Sequence, residues 1–169
     1  MLIMKHKLIA PVLFISILLS VATAVKGQSA IPPFQIMLSN GTYFSGKSLP
    51  KGKPVILIYF QTDCDHCQKL MDALFKRIKE FRNTDIVMVT FKPVDELTGF
   101  EQRYQTFKYP NIKVGTEGTT YFLRYYYKLE TTPFTALFDK KGKLVYSYKK
   151  ETSVEDLIGR LRKLTAMPH

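Results

Sequence analysis

The chain contains two cysteines, which lie in the segment Cys64-Asp65-His66-Cys67. Two thiols at this spacing can form and open a disulfide, and the attacking group in that exchange is a thiolate. A bridge across two intervening residues closes a very small loop, so it restrains the unfolded chain little. The pair is therefore better suited to redox chemistry than to stabilising a fold, with a structural disulfide as the alternative.

The segments on either side of this motif are a predicted strand and a predicted helix. Residues 55–60 form a continuous apolar run rich in β-branched and aromatic side chains, as expected of a buried strand. Apolar residues then recur at helical spacing, which predicts a helix over 65–81. Cys64 would lie at the N-terminus of that helix, where free backbone N–H groups and the helix dipole stabilise an anion. This position predicts a lowered pKa for the Cys64 thiol.

Three neighbours of Cys64 are predicted to tune its thiol. Asp63 and Asp65 place negative charge on both sides of the sulfur, which raises a thiol pKa. The His66 imidazole can hydrogen-bond to the sulfur, or pair with it when protonated. Alternatively, His66 is a solvated residue of the first helical turn or pairs with one of the two aspartates. These opposing influences predict an intermediate reduction potential and leave the direction of electron flow open.

The first 27 residues have the pattern of an export signal. Lys5 and Lys7 precede an apolar run over 8–21, and small residues follow at 22–24. Cleavage would leave residues 28–169, which are long enough for one domain with a substantial core. An uncleaved membrane anchor is the alternative, because the apolar run approaches the length that spans a bilayer.

The chain is strongly basic, with a formal net charge of +11. Its lysines are scattered, and the densest cluster, Lys140, Lys141 and Lys143, surrounds a glycine in a predicted hairpin turn. We therefore expect no nucleic-acid-binding face, but a solvated surface or mild attraction to anionic partners, including transient association with a membrane surface. Glu101 and Glu117 have no evident partner in the sequence and are predicted to be surface charges.

The remaining pattern predicts a mixed sheet flanked by helices. Asn40-Gly41 is a hairpin signal, and Ser153 can cap a last helix with Asp156 three residues later. Residues 111–118 are predicted to be loop, and 119–128 a weakly indicated short helix. Strand–helix–strand units imply parallel crossovers, while a late hairpin adds antiparallel strands. The predicted strands are 32–38, 42–44, 55–60, 86–91, 134–139 and 144–148, and the predicted helices are 65–81, 97–109 and 154–164.

These elements resemble the thioredoxin superfamily, most closely its exported TlpA/ResA-like branch. Three features carry the resemblance: the strand that runs into the two-cysteine motif, Thr132-Pro133 before strand 134–139, and an N-terminal hairpin followed by Gly52-Lys53-Pro54. The resemblance implies an α/β thioredoxin fold, a mixed central sheet flanked by helices, with an N-terminal β-hairpin extension. It also implies that Cys64 forms a mixed disulfide with a substrate and that Cys67 resolves it. Thr132 and a cis Pro133 would bind an extended substrate segment.

Three positions differ from parts of that superfamily. Its members usually have tryptophan where this chain has Asp63, and cytosolic thioredoxins have a buried aspartate at the position of Ile58. His66 is similar to the histidine before the second cysteine of strongly oxidising, periplasmic DsbA-type enzymes. The branch resemblance and the bracketing acids together favour reduction of an exported client protein.

We therefore expect a monomeric, periplasmic thiol–disulfide oxidoreductase. It would exchange disulfides with cysteine-containing exported proteins and with a further redox partner, and the chemistry needs no cofactor. A thiol peroxidase is one alternative, although peroxiredoxins have a threonine three residues before their cysteine, where this chain has Gln61. A redox-silent binding module or copper carrier is the other, with Cys64, His66 and Cys67 as soft-metal ligands.

Overall fold

The computed structural model describes residues 30–166, so the predicted export signal and the last three residues lie outside the described part. No helix within residues 30–166 combines the length and the apolarity needed to cross a membrane. The described chain contains seven strands in one sheet and four α-helices. In chain order they are β1 (Gln35–Leu38), β2 (Tyr43–Ser45), β3 (Val55–Tyr59), α1 (Asp65–Lys76), β4 (Asp85–Thr90), α2 (Val94–Tyr104), β5 (Ile112–Thr116), α3 (Phe122–Tyr127), β6 (Phe134–Phe138), β7 (Leu144–Tyr148) and α4 (Val154–Ala166).

The sheet has the order β2-β1-β5-β4-β3-β6-β7 and contains both kinds of pairing. The central strands β3, β4 and β5 are parallel. β6 and β7 add antiparallel strands on one side, and the β1–β2 hairpin pairs antiparallel with β5 on the other. The predicted mixed sheet flanked by helices, with its N-terminal hairpin, is confirmed.

Both faces of the central strands are covered, which explains their unbroken apolar sequences. Every residue of β3, β4 and β6 is buried. Apolar side chains of α1, α2 and α4 pack on one face, and α3 together with the segment leading into β1 packs on the other. The two-cysteine motif belongs to the face that α1 covers.

The predicted turns and the last helix cap are found in the structure. In the first hairpin the Leu38 N–H donates to the Thr42 carbonyl over 2.9 Å, and Gly41 takes a φ of 80°, which only glycine adopts without strain. The predicted hairpin between β6 and β7 is also present. The Ser153 hydroxyl accepts the Asp156 N–H over 3.2 Å, as predicted for the cap of α4.

Several boundaries differ from the prediction for local backbone reasons. The predicted loop over 111–118 is wrong, because it contains β5, which pairs with β4 on one side and β1 on the other. The predicted helix over 65–81 ends at Lys76 and gives way to a 3-10 turn at Ile78–Phe81, since Arg77 leaves the helical region. The predicted helix over 97–109 is α2, which starts earlier and ends where Gln105 turns left-handed. The weakly indicated helix over 119–128 is present as the shorter α3, and the residues that flank α3 at both ends have left-handed backbone angles.

Gly115 lets β1 approach β5 closely. A Cβ added to Gly115 would lie 2.8 Å from Ile36 Cδ1 and 2.9 Å from the Met37 carbonyl oxygen. We expect Gly115→Ala to lower the free energy of unfolding by about 2 kcal/mol, because the carbonyl belongs to backbone that cannot turn aside. Urea denaturation measures this. Gly159→Ala is the matched control: a Cβ there meets no atom within 4 Å, so α4 should be stabilised by up to about 1 kcal/mol. Equal unfolding midpoints for Gly115→Ala and the wild type would contradict the close approach.

Candidate active site

Cys64 is the residue that begins the first long helix. It precedes α1 with extended backbone angles, φ −101° and ψ 118°, and its Sγ accepts the Cys67 backbone N–H over 3.4 Å. The sulfur thus takes the place of the usual capping oxygen, at the positive end of the helix dipole. The predicted position of Cys64 at a helix N-terminus is confirmed.

The two thiols differ in exposure. Cys64 is partly exposed, whereas Cys67, in the first turn of α1, is 1% exposed and packs into the core. Both are free thiols in this structure. An incoming disulfide can therefore reach the Cys64 sulfur, while Cys67 is shielded from direct attack.

The loop before β6 places Thr132 beside the Cys64 sulfur. Pairing of Tyr59 with Phe134 holds the start of β6 next to the end of β3. The Thr132 hydroxyl lies 3.6 Å from Cys64 Sγ, and the Thr132 carbonyl oxygen lies 3.7 Å from it. Gln61 Nε2 donates to the same hydroxyl over 3.2 Å, which fixes the threonine side chain. The Thr132–Pro133 peptide bond is cis, as the resemblance implies.

This environment separates the acidities of the two thiols. Burial disfavours the charged form of Cys64, but hydrogen bonds from the Cys67 thiol, from Thr132 and from backbone N–H groups outweigh it, so the pKa of Cys64 is lowered. Burial, together with the hydrogen bond to Cys64, raises the pKa of Cys67 well above its usual range. Cys64 is therefore suited to act as a thiolate nucleophile, while Cys67 keeps its proton.

The two aspartates that flank Cys64 differ in their surroundings. Asp63 Oδ2 forms an ion pair with Lys92 Nζ over 2.7 Å, and the hydrogen bond from Lys92 lowers the pKa of Asp63. Its negative charge is thus compensated locally. Asp65 is exposed to solvent in the first turn of α1. The net shift of the Cys64 pKa is downward, and a tuning influence of the two acids stays a prediction.

The His66 ring lies beside an acidic residue of another segment. Its side chain is 62% exposed, and Nδ1 lies 3.8 Å from Glu151 Oε1, so its acidic neighbour is neither Asp63 nor Asp65. The contribution of His66 to the lowered Cys64 pKa comes from its backbone N–H, which adds to the larger contributions of the Cys67 thiol, Thr132 and the Cys67 N–H. No hydrogen bond joins the His66 ring to the sulfur within the described residues. In that same part of the chain, no group of three or more His, Cys, Asp or Glu side chains is placed to hold a metal ion.

Two openings flank the cysteine pair. One is a groove of about 520 Å³ on the side of the cis proline, and the other is a cavity of about 300 Å³ beside Cys67. Glu96 lines that cavity and accepts a hydrogen bond from the Thr62 hydroxyl over 2.6 Å. The groove is lined by His66, Thr131, Thr132, Lys150 and Glu151.

Sequence reasoning missed the buried carboxylate of Glu117. Glu117 is 5% exposed, so the prediction of a surface charge is wrong. Its Oε1 accepts the Tyr59 hydroxyl over 2.7 Å, and its Oε2 accepts the Leu123 N–H over 2.8 Å. Burial and this carboxylate raise the pKa of Tyr59. Glu117 thereby ties the loop after β5 to β3 and α3, at the end of the sheet where the cysteines lie.

The acidity of Cys64 should depend on the Thr132 hydroxyl. We expect Thr132→Val to raise the pKa of Cys64, because a hydrogen bond that favours the thiolate is lost. The thiolate fraction at pH 7 then falls, so alkylation by iodoacetamide slows several-fold and its pH profile moves to higher pH. Thr131→Val is the matched control, since the Thr131 hydroxyl contacts the Lys149 carbonyl instead. Identical profiles for wild type and Thr132→Val would show that the hydroxyl has no influence.

Comparisons with known proteins bear on both the family and the fold. The sequence profile described as the AhpC/TSA family matches residues 28–160. A search of curated proteins gives no match. A secreted Mycobacterium tuberculosis disulfide oxidoreductase homologous to Escherichia coli DsbE is 19% identical, with a TM-score of 0.65 over 78% of this chain and 96% of that chain.

Two further solved structures share the architecture. The exposed lipoprotein thioredoxin of Streptococcus pneumoniae is 22% identical, with a TM-score of 0.60 over 79% of this chain and 100% of that chain. A peroxiredoxin-like protein from Aquifex aeolicus is 14% identical, with a TM-score of 0.66 over 82% of this chain and 86% of that chain. Likeness at these identities shows a common thioredoxin fold.

Proposed function

Since the chain belongs to the AhpC/TSA family and has the fold of thioredoxin-like oxidoreductases, we propose that it is an exported thiol–disulfide oxidoreductase acting on protein cysteines. One observation carries the proposal. A partly exposed thiol of lowered pKa caps α1, beside a buried thiol of raised pKa and a loop with a cis proline. In this arrangement the Cys64 thiolate can attack a disulfide, while the Cys67 thiol stays protonated until the second step.

The proposed reaction proceeds through a mixed disulfide. The Cys64 thiolate attacks one sulfur of a client disulfide, and the other client sulfur leaves as a thiolate. Cys67 then loses its proton and attacks the Cys64 sulfur, which expels the second client sulfur. The client disulfide has gained two electrons and two protons, one proton from Cys67 and one from solvent, and Cys64 and Cys67 are joined as a disulfide. A redox partner returns the pair to the dithiol.

We propose reduction as the direction, because the TlpA/ResA-like resemblance favours it, and the form that would attack a client disulfide is the dithiol with a Cys64 thiolate beside a protonated Cys67. A lowered Cys64 pKa also stabilises the dithiol, which limits how strongly the protein can reduce others. In this proposal Thr132 and Pro133 hold an extended client segment against Cys64. His66, Asp63 and Asp65 form the exposed rim that the client meets.

Export and the periplasm are part of the proposal. The pattern of residues 1–27 supports an export signal, with 28–169 as a single monomeric domain. The structural relatives that are described as secreted or as an exposed lipoprotein support the same location. Retention of the apolar run as an anchor is the alternative. The clients would be exported proteins with cysteines.

Equilibration with glutathione tests the redox proposal. The protein is incubated in mixtures of reduced and oxidised glutathione, its thiols are trapped with a maleimide, and the trapped forms are counted by mass. We expect the two thiols to titrate together as one two-electron couple. A reduction potential close to that of DsbA, about −120 mV, would overturn reduction as the direction. Failure of the thiols to oxidise together would overturn the oxidoreductase itself.

A thiol peroxidase is the second candidate, because the family match and the Aquifex likeness both favour it. Gln61 occupies the position where peroxiredoxins have threonine, and the neighbouring Thr62 hydroxyl is bonded to Glu96. We therefore expect slow consumption of hydrogen peroxide. The rates at which peroxide and a protein disulfide oxidise the reduced protein, measured side by side, distinguish the two functions.

A further inference from the structure

A groove lined by lysines lies at one end of the sheet. Three separate segments converge on it: the turn after β2, the turn before β3 and the turn after β6. Its volume is about 550 Å³ and its floor includes the apolar residues Ile31, Leu49 and Val55. We call this the lysine groove, and its basic residues are Lys47, Lys51, Lys53, Lys140 and Lys141.

The positive charge of the lysine groove is largely uncompensated. Within the described residues, none of its five lysines takes part in a salt bridge. Two acidic residues, Asp139 and Asp85, lie beside these turns in the chain or in the sheet. Asp139 Oδ1 accepts the backbone N–H groups of Lys141 and Lys143, and Asp85, which Lys53 influences, is 8% exposed. Four of the five lysines are exposed, and Lys140 is half-buried.

Strand register places the lysine groove at the opposite end of the sheet from the cysteines. In the β3–β6 pair, Val55 lies across from Phe138 and Tyr59 across from Phe134. The basic turns adjoin the Val55–Phe138 end, whereas Cys64 adjoins the Tyr59–Phe134 end. A five-residue strand separates the two ends by about 15 Å.

The N-terminal segment joins the fold at the same groove. Ala30 forms a bridge with Lys143, and the Ile31 N–H donates to the Gly142 carbonyl over 3.1 Å. Ile31 itself lines the groove. The chain that precedes the described residues therefore enters the domain beside the lysine groove.

We propose that the lysine groove faces a membrane containing anionic phospholipids. Lysines can lay their aliphatic stems along the apolar floor and extend their ammonium groups to phosphate headgroups. In this orientation the cysteine end is turned toward the aqueous phase. Retention of the apolar run, the alternative to cleavage, would attach the chain to the bilayer on the same side. This proposal is independent of the redox proposal, since it involves neither thiol.

Vesicle binding with a matched pair of double variants tests the lysine groove. The partition coefficient of the full chain is measured for phosphatidylglycerol-containing vesicles and for phosphatidylcholine vesicles. Apolar insertion contributes to both coefficients, so their ratio reports the attraction to the anionic headgroups. Loss of a lysine near an anionic surface costs about five-fold in binding, so Lys51→Gln with Lys141→Gln should lower the ratio about 25-fold. The control, Lys69→Gln with Lys149→Gln, removes the same charge elsewhere and should change the ratio less than about three-fold. If the two double variants lower the ratio equally, the effect comes from net charge in general, and the proposed binding at the lysine groove is wrong.

Amine acylation of the vesicle-bound protein tests the orientation. We expect Lys51, Lys53 and Lys141 to be protected on phosphatidylglycerol vesicles, while Lys69 and Lys149 react as in solution. Alkylation of Cys64 should proceed at the same rate with and without vesicles. Protection of Lys69 or of Cys64 would place the other end of the molecule against the bilayer. If the protein binds RNA as well as it binds phosphatidylglycerol vesicles at the same phosphate concentration, the proposal is also contradicted.

Discussion

Cys64→Ser should lose disulfide exchange by about a thousandfold or more, because it removes the sulfur that forms the mixed disulfide. Cys67→Ser should behave differently, since its Cys64 thiolate still attacks. Cys67 is 1% exposed. In the proposed reaction it takes part only after the first bond has formed. We therefore expect Cys67→Ser to release one thiolate from a small aromatic disulfide in a rapid burst and then to stop. Stopped-flow absorbance under anaerobic conditions measures both the burst and the steady rate.

The two serine variants serve as controls for each other, because each removes one sulfur from the same pair. A burst in Cys64→Ser, with none in Cys67→Ser, would assign the nucleophile to the buried cysteine. Continued turnover by Cys67→Ser would mean that an external thiol resolves the intermediate, so that Cys67 is not needed. Either result would contradict the roles that exposure and pKa assign.

Glu117→Ala should lower the free energy of unfolding by about 3 kcal/mol, which is about a hundredfold in the folding constant. The carboxylate is 5% exposed, and its loss leaves the Tyr59 hydroxyl and the Leu123 N–H without their acceptor. Each unsatisfied buried donor costs about 1–3 kcal/mol. Urea denaturation followed by circular dichroism provides the measurement.

Glu101→Ala is the control for Glu117→Ala, because the sequence gives both glutamates the same expected surface role. Glu101 lies in α2, where alanine is a good helix former, so its replacement should change stability by less than about 0.5 kcal/mol. If the two variants unfold at the same urea concentration, the buried carboxylate contributes nothing beyond an ordinary surface residue.

The features that the sequence predicts correctly have local signals. The run over 55–60 is apolar throughout because β3 is covered on both faces, and the capping position of Cys64 follows from the change of periodicity after it. The hairpin at Asn40-Gly41 and the cap at Ser153 depend on residues a few positions apart. Each of these can be predicted without knowing what packs against it.

The features that the sequence does not predict depend on distant partners. β5 is short and contains Gly115, which resembles loop sequence until β4 and β1 are placed on either side. Glu117 is buried because Tyr59, in another strand, donates to it. The His66 ring turns toward Glu151, in the segment before α4, rather than toward the adjacent sulfur. None of these pairings leaves a periodicity or a motif in the chain.

Pairing of β1 with β5 also affects the order of folding. Leu38 and Gly115 are neighbours in the sheet but far apart in the chain, so a long loop must close before they meet. The first hairpin to be synthesised is therefore among the last to find its final partner. Until it docks, β5 exposes a row of unpaired backbone groups that could recruit a strand from another molecule. Once the hairpin has docked, the edge of β5 is covered and the edge strand on that side is the three-residue β2.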